Sequence, residues 1–127
     1  MTNRLDIDRL LRQLYAARVA GDLNGVCQTF ANDAKFEIAG TSQTSPIAIS
    51  AAGLDQIRTW LALLIKTFQL SDQTILAMII DDSTAAVHWR AKIRSRITGT
   101  TILTDLVDLV QVRDGRIASY TEFFVPR

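Results

Sequence analysis

The chain has 127 residues, 48% of them hydrophobic and 21% charged, which suits one globular domain with its own core and excludes a disordered or low-complexity segment. Its net charge of +1 excludes a molecule drawn to nucleic acid or to a membrane by its overall field; only local patches could do that work. Cys27 is the sole cysteine, so no internal disulfide forms, and the charged N-terminus has no apolar leader; both point to the cytoplasm.

Leu5, Leu10, Leu11, Leu14, Tyr15 and Val19 recur at helical spacing until Gly21, which predicts a first helix over 6–20. Asp22 then caps a shorter helix with Leu23, Val26, Cys27 and Phe30 inward. A short strand follows over 34–38. Residues 39–52, rich in Gly, Ser, Thr and Ala, read as a loop of a length at which structureless connections tend to be functional or mobile. A third helix is expected from Leu54 to Phe68, its apolar side carrying Ile57, Trp60, Leu61, Leu64 and Ile65. From there the period switches to two, and strands are expected over 70–81, 84–97, 100–113 and 116–125, separated by turn signals at Asp81-Asp82-Ser83, Thr98-Gly99 and Arg113-Asp114-Gly115. Helices first and a meander last give an α+β domain spanning 1–127, a curved antiparallel sheet with helices on one face and a pocket between them.

Strand 84–97 alternates most cleanly. Val87, Trp89, Ala91, Ile93 and Ile97 fall on the inner face; His88, Arg90, Lys92, Arg94 and Arg96 fall on the other. The basic row reads as a wet face or a dimer interface, with contact to an acidic partner or nucleic acid as the lesser alternative. His88, on that row, reads as a surface or interface residue rather than a general base. A two-residue turn at Thr98-Gly99 would set Lys92 opposite Asp105, Arg90 opposite Val107 and Trp89 opposite Asp108.

Asp108 stands inside an apolar strand, Leu106-Val-Asp-Leu-Val-Gln-Val112, on the inner face. A carboxylate taken out of water is costly unless it is paired, hydrogen-bonded or protonated. A three-residue loop at Arg113-Asp114-Gly115 sets Asp108 opposite Tyr120, with Glu122 a diagonal neighbour roughly 6–8 Å away; a two-residue loop would turn Glu122 outward. The expected site therefore holds Asp108, Glu122 and Tyr120, walled by Trp89, Ala91, Ile93, Phe124, Trp60 and Phe30. Two carboxylates in one apolar enclosure do not both ionise easily, and one remains a proton donor for general acid–base chemistry. The alternative is a structural Asp108, bonded to the Tyr120 hydroxyl or the Trp89 indole. One histidine and one cysteine argue against zinc, and no phosphate loop or nucleophile elbow is present, so no cofactor or metal is expected.

The order of elements, with Ala20-Gly-Asp-Leu-Asn-Gly25, Phe30-Ala-Asn-Asp-Ala34, Val112-Arg-Asp-Gly-Arg-Ile117 and an aromatic-rich last strand, resembles the nuclear transport factor 2-like superfamily, in particular its ketosteroid-isomerase and SnoaL-like polyketide-cyclase branch. The resemblance implies a cone-shaped, cystatin-like domain whose sheet wraps the N-terminal helices, a small-molecule pocket, and a homodimer through the outer sheet face. The ketosteroid-isomerase tyrosine position is Leu14 here, its base position Ile38 and a further pocket tyrosine Leu61; only its hydrogen-bonding acid is present, as Asp108. Of the epoxide-hydrolase branch's two carboxylates and arginine, Glu122 matches one carboxylate, while the other two positions hold Trp89 and Ala91. The resemblance thus implies a small, largely apolar ligand bound with Leu14, Ile38 and Leu61 among the walls. Any reaction would be cofactor-free acid–base isomerisation, cyclisation or lysis, with Glu122 as base, Asp108 as hydrogen-bond donor and Tyr120 orienting the ligand. The second reading is a non-catalytic ligand-binding or dimerisation module.

Overall fold

The computed structural model describes residues 3–39 and 49–126. Its helices are α1 (Arg4–Ala20), α2 (Leu23–Cys27) and α3 (Leu54–Thr67). Its strands are β1 (Phe30–Ile38), β2 (Ile49–Ala52), β3 (Phe68–Asp81), β4 (Thr84–Ser95), β5 (Thr101–Arg113) and β6 (Arg116–Pro126). The strands form one curved, unclosed sheet in the order β2-β1-β6-β5-β4-β3. The β1–β6 pair is parallel and the others are antiparallel, so the sheet is mixed.

Local chemistry sets the helix ends. The Asn3 side chain accepts from the Asp6 amide and starts α1. Gly21, at φ 70°, ends it in the left-handed conformation, with the Asp22 amide bonded back to the Ala17 carbonyl at 2.9 Å. Asp22 caps α2 through the Gly25 amide. The helices cover the inner sheet face and close a core of Ile7, Leu11, Leu14, Tyr15, Phe30, Phe36, Ile57, Leu61, Trp89, Leu106, Val110 and Tyr120. No helix among the described residues is long and apolar enough to cross a membrane.

Three expectations need correction. The segment 39–52 is not loop throughout: Ile49–Ala52 pairs with β1, burying Ile49 and Ala51 in alternation, and 40–48 lie outside the described residues. The β4–β5 turn uses more residues than two. Ser95 Oγ accepts from the Ile97 and Thr98 amides, Gly99 takes φ 77°, and the pairing moves by two. Arg90, not Lys92, therefore faces Asp105, and Val87, not Trp89, faces Asp108; a shift of two leaves every paired side chain on its expected face, but the strand ends at Ser95 and Ile97, expected inward, is exposed in the turn.

The third correction concerns the last hairpin. Asp114 and Gly115 both have positive φ, and Arg113 pairs with Arg116, so the loop has two residues rather than three. Alone, that turn would send Glu122 outward. A bulge intervenes: Val112 pairs with Ile117 but Gln111 with Ser119, which leaves Ala118 as an extra residue in β6. The bulge restores the parity, and Asp108 comes to face Glu122 directly, with Tyr120 opposite Val110.

Candidate functional site

The site begins on α1. Leu11, Tyr15 and Arg18 lie at spacings of four and three, so they share the stripe that packs inward. Tyr15 is buried against Trp89, with ring centroids 5.2 Å apart. Arg18, one turn before the Gly21 cap, crosses the Trp89 ring at 5.3 Å and enters the sheet's concave side.

There it meets Glu122. Arg18 Nη1 donates to Glu122 Oε2 at 2.6 Å and Nη2 to Oε1 at 3.3 Å, a fork with one tight and one slack arm. Arg18 Nη1 also donates to the Tyr120 hydroxyl at 3.2 Å. The Tyr120 hydroxyl donates to Asp108 Oδ2 and lies 3.2 Å from Glu122 Oε2, so it stands between the two carboxyls. Asp108 Oδ2 also accepts from the Tyr15 hydroxyl at 2.6 Å and the Trp89 indole N–H at 2.7 Å. Asp108 Oδ1 is buried with no hydrogen-bond partner among the described residues.

The two carboxyls are driven apart. Burial, then the charge of Glu122, pushes Asp108 well above the ordinary carboxylate range, and Arg18 and Tyr120 offset only part of this. Burial acts on Glu122 too, but the charge and hydrogen bonds of Arg18 outweigh it and hold Glu122 below its usual value. Burial and the neighbouring Asp108 raise the Tyr15 and Tyr120 hydroxyls, so both stay protonated donors. Arg18 and Glu122 form an ion pair, and Asp108 is the carboxyl pushed toward its protonated form.

A cavity of about 330 Å³ opens above this floor. Arg18 and Glu122 are its charged lining residues; Ile38, Leu61, Leu64, Phe68, Leu70, Ile93, Leu106 and Phe124 supply apolar wall, and Ser95, Thr98, Thr100 and Thr104 supply hydroxyls. The expected wall residues divide accordingly. Ile38, Leu61, Ile93 and Phe124 line the cavity. Asp108, Tyr120, Trp89, Ala91, Phe30 and Leu14 lie behind it in the core, and Trp60 is half-buried at the core's edge. Tyr120 is held there by Phe36, stacked at 5.6 Å, and by Phe30, edge-on at 6.0 Å.

Sequence reasoning missed Arg18 and Tyr15. The available signal was a charged residue on the apolar stripe of α1, four residues after Leu14. Its partner lies 104 residues further along the chain, and nothing local reveals it.

On the outer face, three members of the basic row find carboxylates within the chain. His88 and Arg90 both reach Asp105, at 3.0 and 2.7 Å, and Lys92 reaches Asp72 of β3 at 3.0 Å. No group of three or more His, Cys, Asp and Glu among the described residues is arranged to hold a metal.

The SnoaL-like domain family matches this chain over residues 11–120. No curated protein matches it by sequence. Solved structures share the fold at low identity. An NTF2-like protein from Burkholderia xenovorans is 20% identical, with a TM-score of 0.81 over 98% of this chain and 93% of that one. An LEH-like epoxide hydrolase from M. tuberculosis is 16% identical, with a TM-score of 0.77 over 95% and 84%. A protein with a ketosteroid isomerase-like fold from Catenulispora acidiphila, in complex with trimethylamine, is 17% identical, with a TM-score of 0.76 over 89% and 82%.

Proposed function

The chain belongs to the SnoaL-like domain family, and from that premise we propose that it binds a small, largely apolar ligand in the helix–sheet cavity and acts on it by cofactor-free acid–base chemistry of the isomerase, cyclase or lyase type. The carrying observation is an ionised Glu122 held against Arg18 at the floor of an apolar cavity. In this reading Glu122 takes a proton from the carbon beside a carbonyl. Arg18, sharing the floor, stabilises the oxyanion that develops, and Glu122 returns the proton to another atom. The donor role expected of Asp108 passes to Arg18, because Asp108 stands behind the cavity. Asp108 and Tyr120 become positioning residues: Tyr120 fixes the inner edge of the Arg18–Glu122 fork, and Asp108 fixes Tyr120.

The test is turnover of small ketones, first selected by thermal shift, on wild type and Glu122→Gln. The expected result is retained ligand binding with turnover reduced about 100-fold or more. Equal turnover in Glu122→Gln would overturn the assignment.

A second reading, a non-catalytic binding or dimerisation module, is favoured by one feature. Leu109, Val107, Phe123 and Ile79 leave a contiguous apolar patch exposed on the outer sheet face. That patch suits a homodimer, and the internal pairing of His88 and Arg90 with Asp105 lets the basic row lie beside it without carboxylates from a second chain. The two readings are compatible, and ligand stabilisation without turnover of any ketone would leave the second standing alone.

A further inference from the structure

The ligand class follows from the charge balance of the floor, given that the cavity is a ligand site. We propose that the cavity selects a neutral hydroxyl or carbonyl compound and rejects a carboxylate or an amine of the same size, because the Arg18–Glu122 fork is already charge-balanced and presents one slack donor–acceptor edge.

The fork's two arms differ. Nη1 and Oε2 are 2.6 Å apart and are tied further to Tyr120. Nη2 and Oε1 are 3.3 Å apart and have no such third partner among the described residues, so each retains capacity for another bond there. A hydroxyl satisfies both at once, donating to Oε1 and accepting from Nη2. A carbonyl satisfies Nη2. A ligand carboxylate would bring a second negative charge against Glu122, and an ammonium a second positive charge against Arg18, whose side chains are only 4% and 12% exposed and so poorly screened. Asp108 offers no relief, since it stands behind the cavity and its carboxyl is taken up by Tyr15, Trp89 and Tyr120. The cavity also runs past Leu106 and Thr104 to Ile102, about 13 Å along β5 at the usual strand rise, which calls for an elongated apolar body.

The test is isothermal titration near neutral pH with four probes of equal chain length: decan-1-ol, decan-2-one, decanoate and decylamine. The expected result is that alcohol or ketone binds about tenfold or more tightly than either charged probe. Decanoate or decylamine binding as tightly would overturn the proposal. The double variant Glu122→Gln, Asp108→Asn leaves Arg18 without a balancing carboxylate, and decanoate should then become the preferred probe; an unchanged order would count against the charge argument. Proton uptake, measured on wild type in buffers of different ionisation heat, gives the same answer should that variant not fold. Decanoate should bind only with uptake of close to one proton, and tight binding with no uptake would sink the idea. Neutral preference without turnover removes the enzymatic reading and leaves this one; no binding of any probe removes both.

Discussion

Arg18 decides which of two facing carboxyls is ionised. It touches Glu122 directly and reaches Asp108 only through Tyr120, so its charge favours ionised Glu122 and leaves Asp108 to the effect of burial. The two shifts have opposite consequences for stability. Asp108 lies above its ordinary value of 3.8, so from 3.8 upward the native chain holds a proton that the unfolded chain has lost, and stability falls as pH rises through that window. Glu122 lies below its ordinary value of 4.5, so its contribution is present above 4.5 and is lost as pH falls toward its lower native value. Asp108→Asn should remove the first slope and keep the second. It should also cost about 1–3 kcal/mol, since the amide nitrogen gains no acceptor where Oδ1 has no partner. Urea denaturation of both proteins from acid to neutral pH checks this; parallel pH profiles would show that Asp108 is not the raised group.

Among the elements, β6 is placed by two opposing irregularities. The Asp114-Gly115 turn has a parity that would expose Glu122, and the extra residue at Ala118 reverses it. Kept within the ladder, Ala118 would put Glu122 outside; set aside as the extra residue, it leaves Glu122 opposite Asp108. Deleting Ala118 should therefore keep Tyr120 and Glu122 on the inner face, because the pairs Val112–Ile117 and Gln111–Ser119 become consecutive, and should cost no more than about 1–2 kcal/mol. Deleting Ala118 and Ser119 together should turn Tyr120 and Glu122 outward and bring Phe123 inward, at a cost above about 3 kcal/mol, because Arg18 and Asp108 would both lose partners in the core. Chemical denaturation with near-ultraviolet circular dichroism distinguishes the two, and a double deletion as stable as the single one would show that the residue count of β6 does not set the face. The β4–β5 turn makes the contrast plain. Its register differs from the expected one by two, and no paired side chain changes face.

For the whole molecule, the fold separates two surfaces by sheet face. The inner face carries the cavity; the outer face carries the basic row of β4 beside the apolar residues of β5 and β6. Val107 and Phe123 are direct cross-strand partners on that outer face, and both are about two-fifths exposed, at 39% and 41%. Side chains of this size, side by side on a sheet centre, suit a second copy of the chain. Val107→Lys with Phe123→Lys should convert a dimer to a monomer by light scattering while leaving ligand binding in place, since neither residue lines the cavity. A wild type that is monomeric at high concentration, or a doubly substituted chain that stays dimeric, would rule out this interface.

What the sequence by itself determined is whatever depends on neighbours within a few residues. The apolar spacing of α1 and α3, the strict alternation of β4 and the Gly21 stop are local patterns, and they carry the α+β class, the strand order of the meander and the inward direction of Asp108. Only the tertiary structure decided the rest, because it depends on parity and reach summed over long stretches of chain. Asp108 faces Glu122 through a bulge in a strand whose turn points the other way. Tyr15 reaches Asp108 across 93 residues, and Arg18 reaches Glu122 across 104. A charged residue on a helix's apolar stripe announces that a partner must exist, since its burial is otherwise too costly, but only the packing of α1 on the sheet supplies that partner.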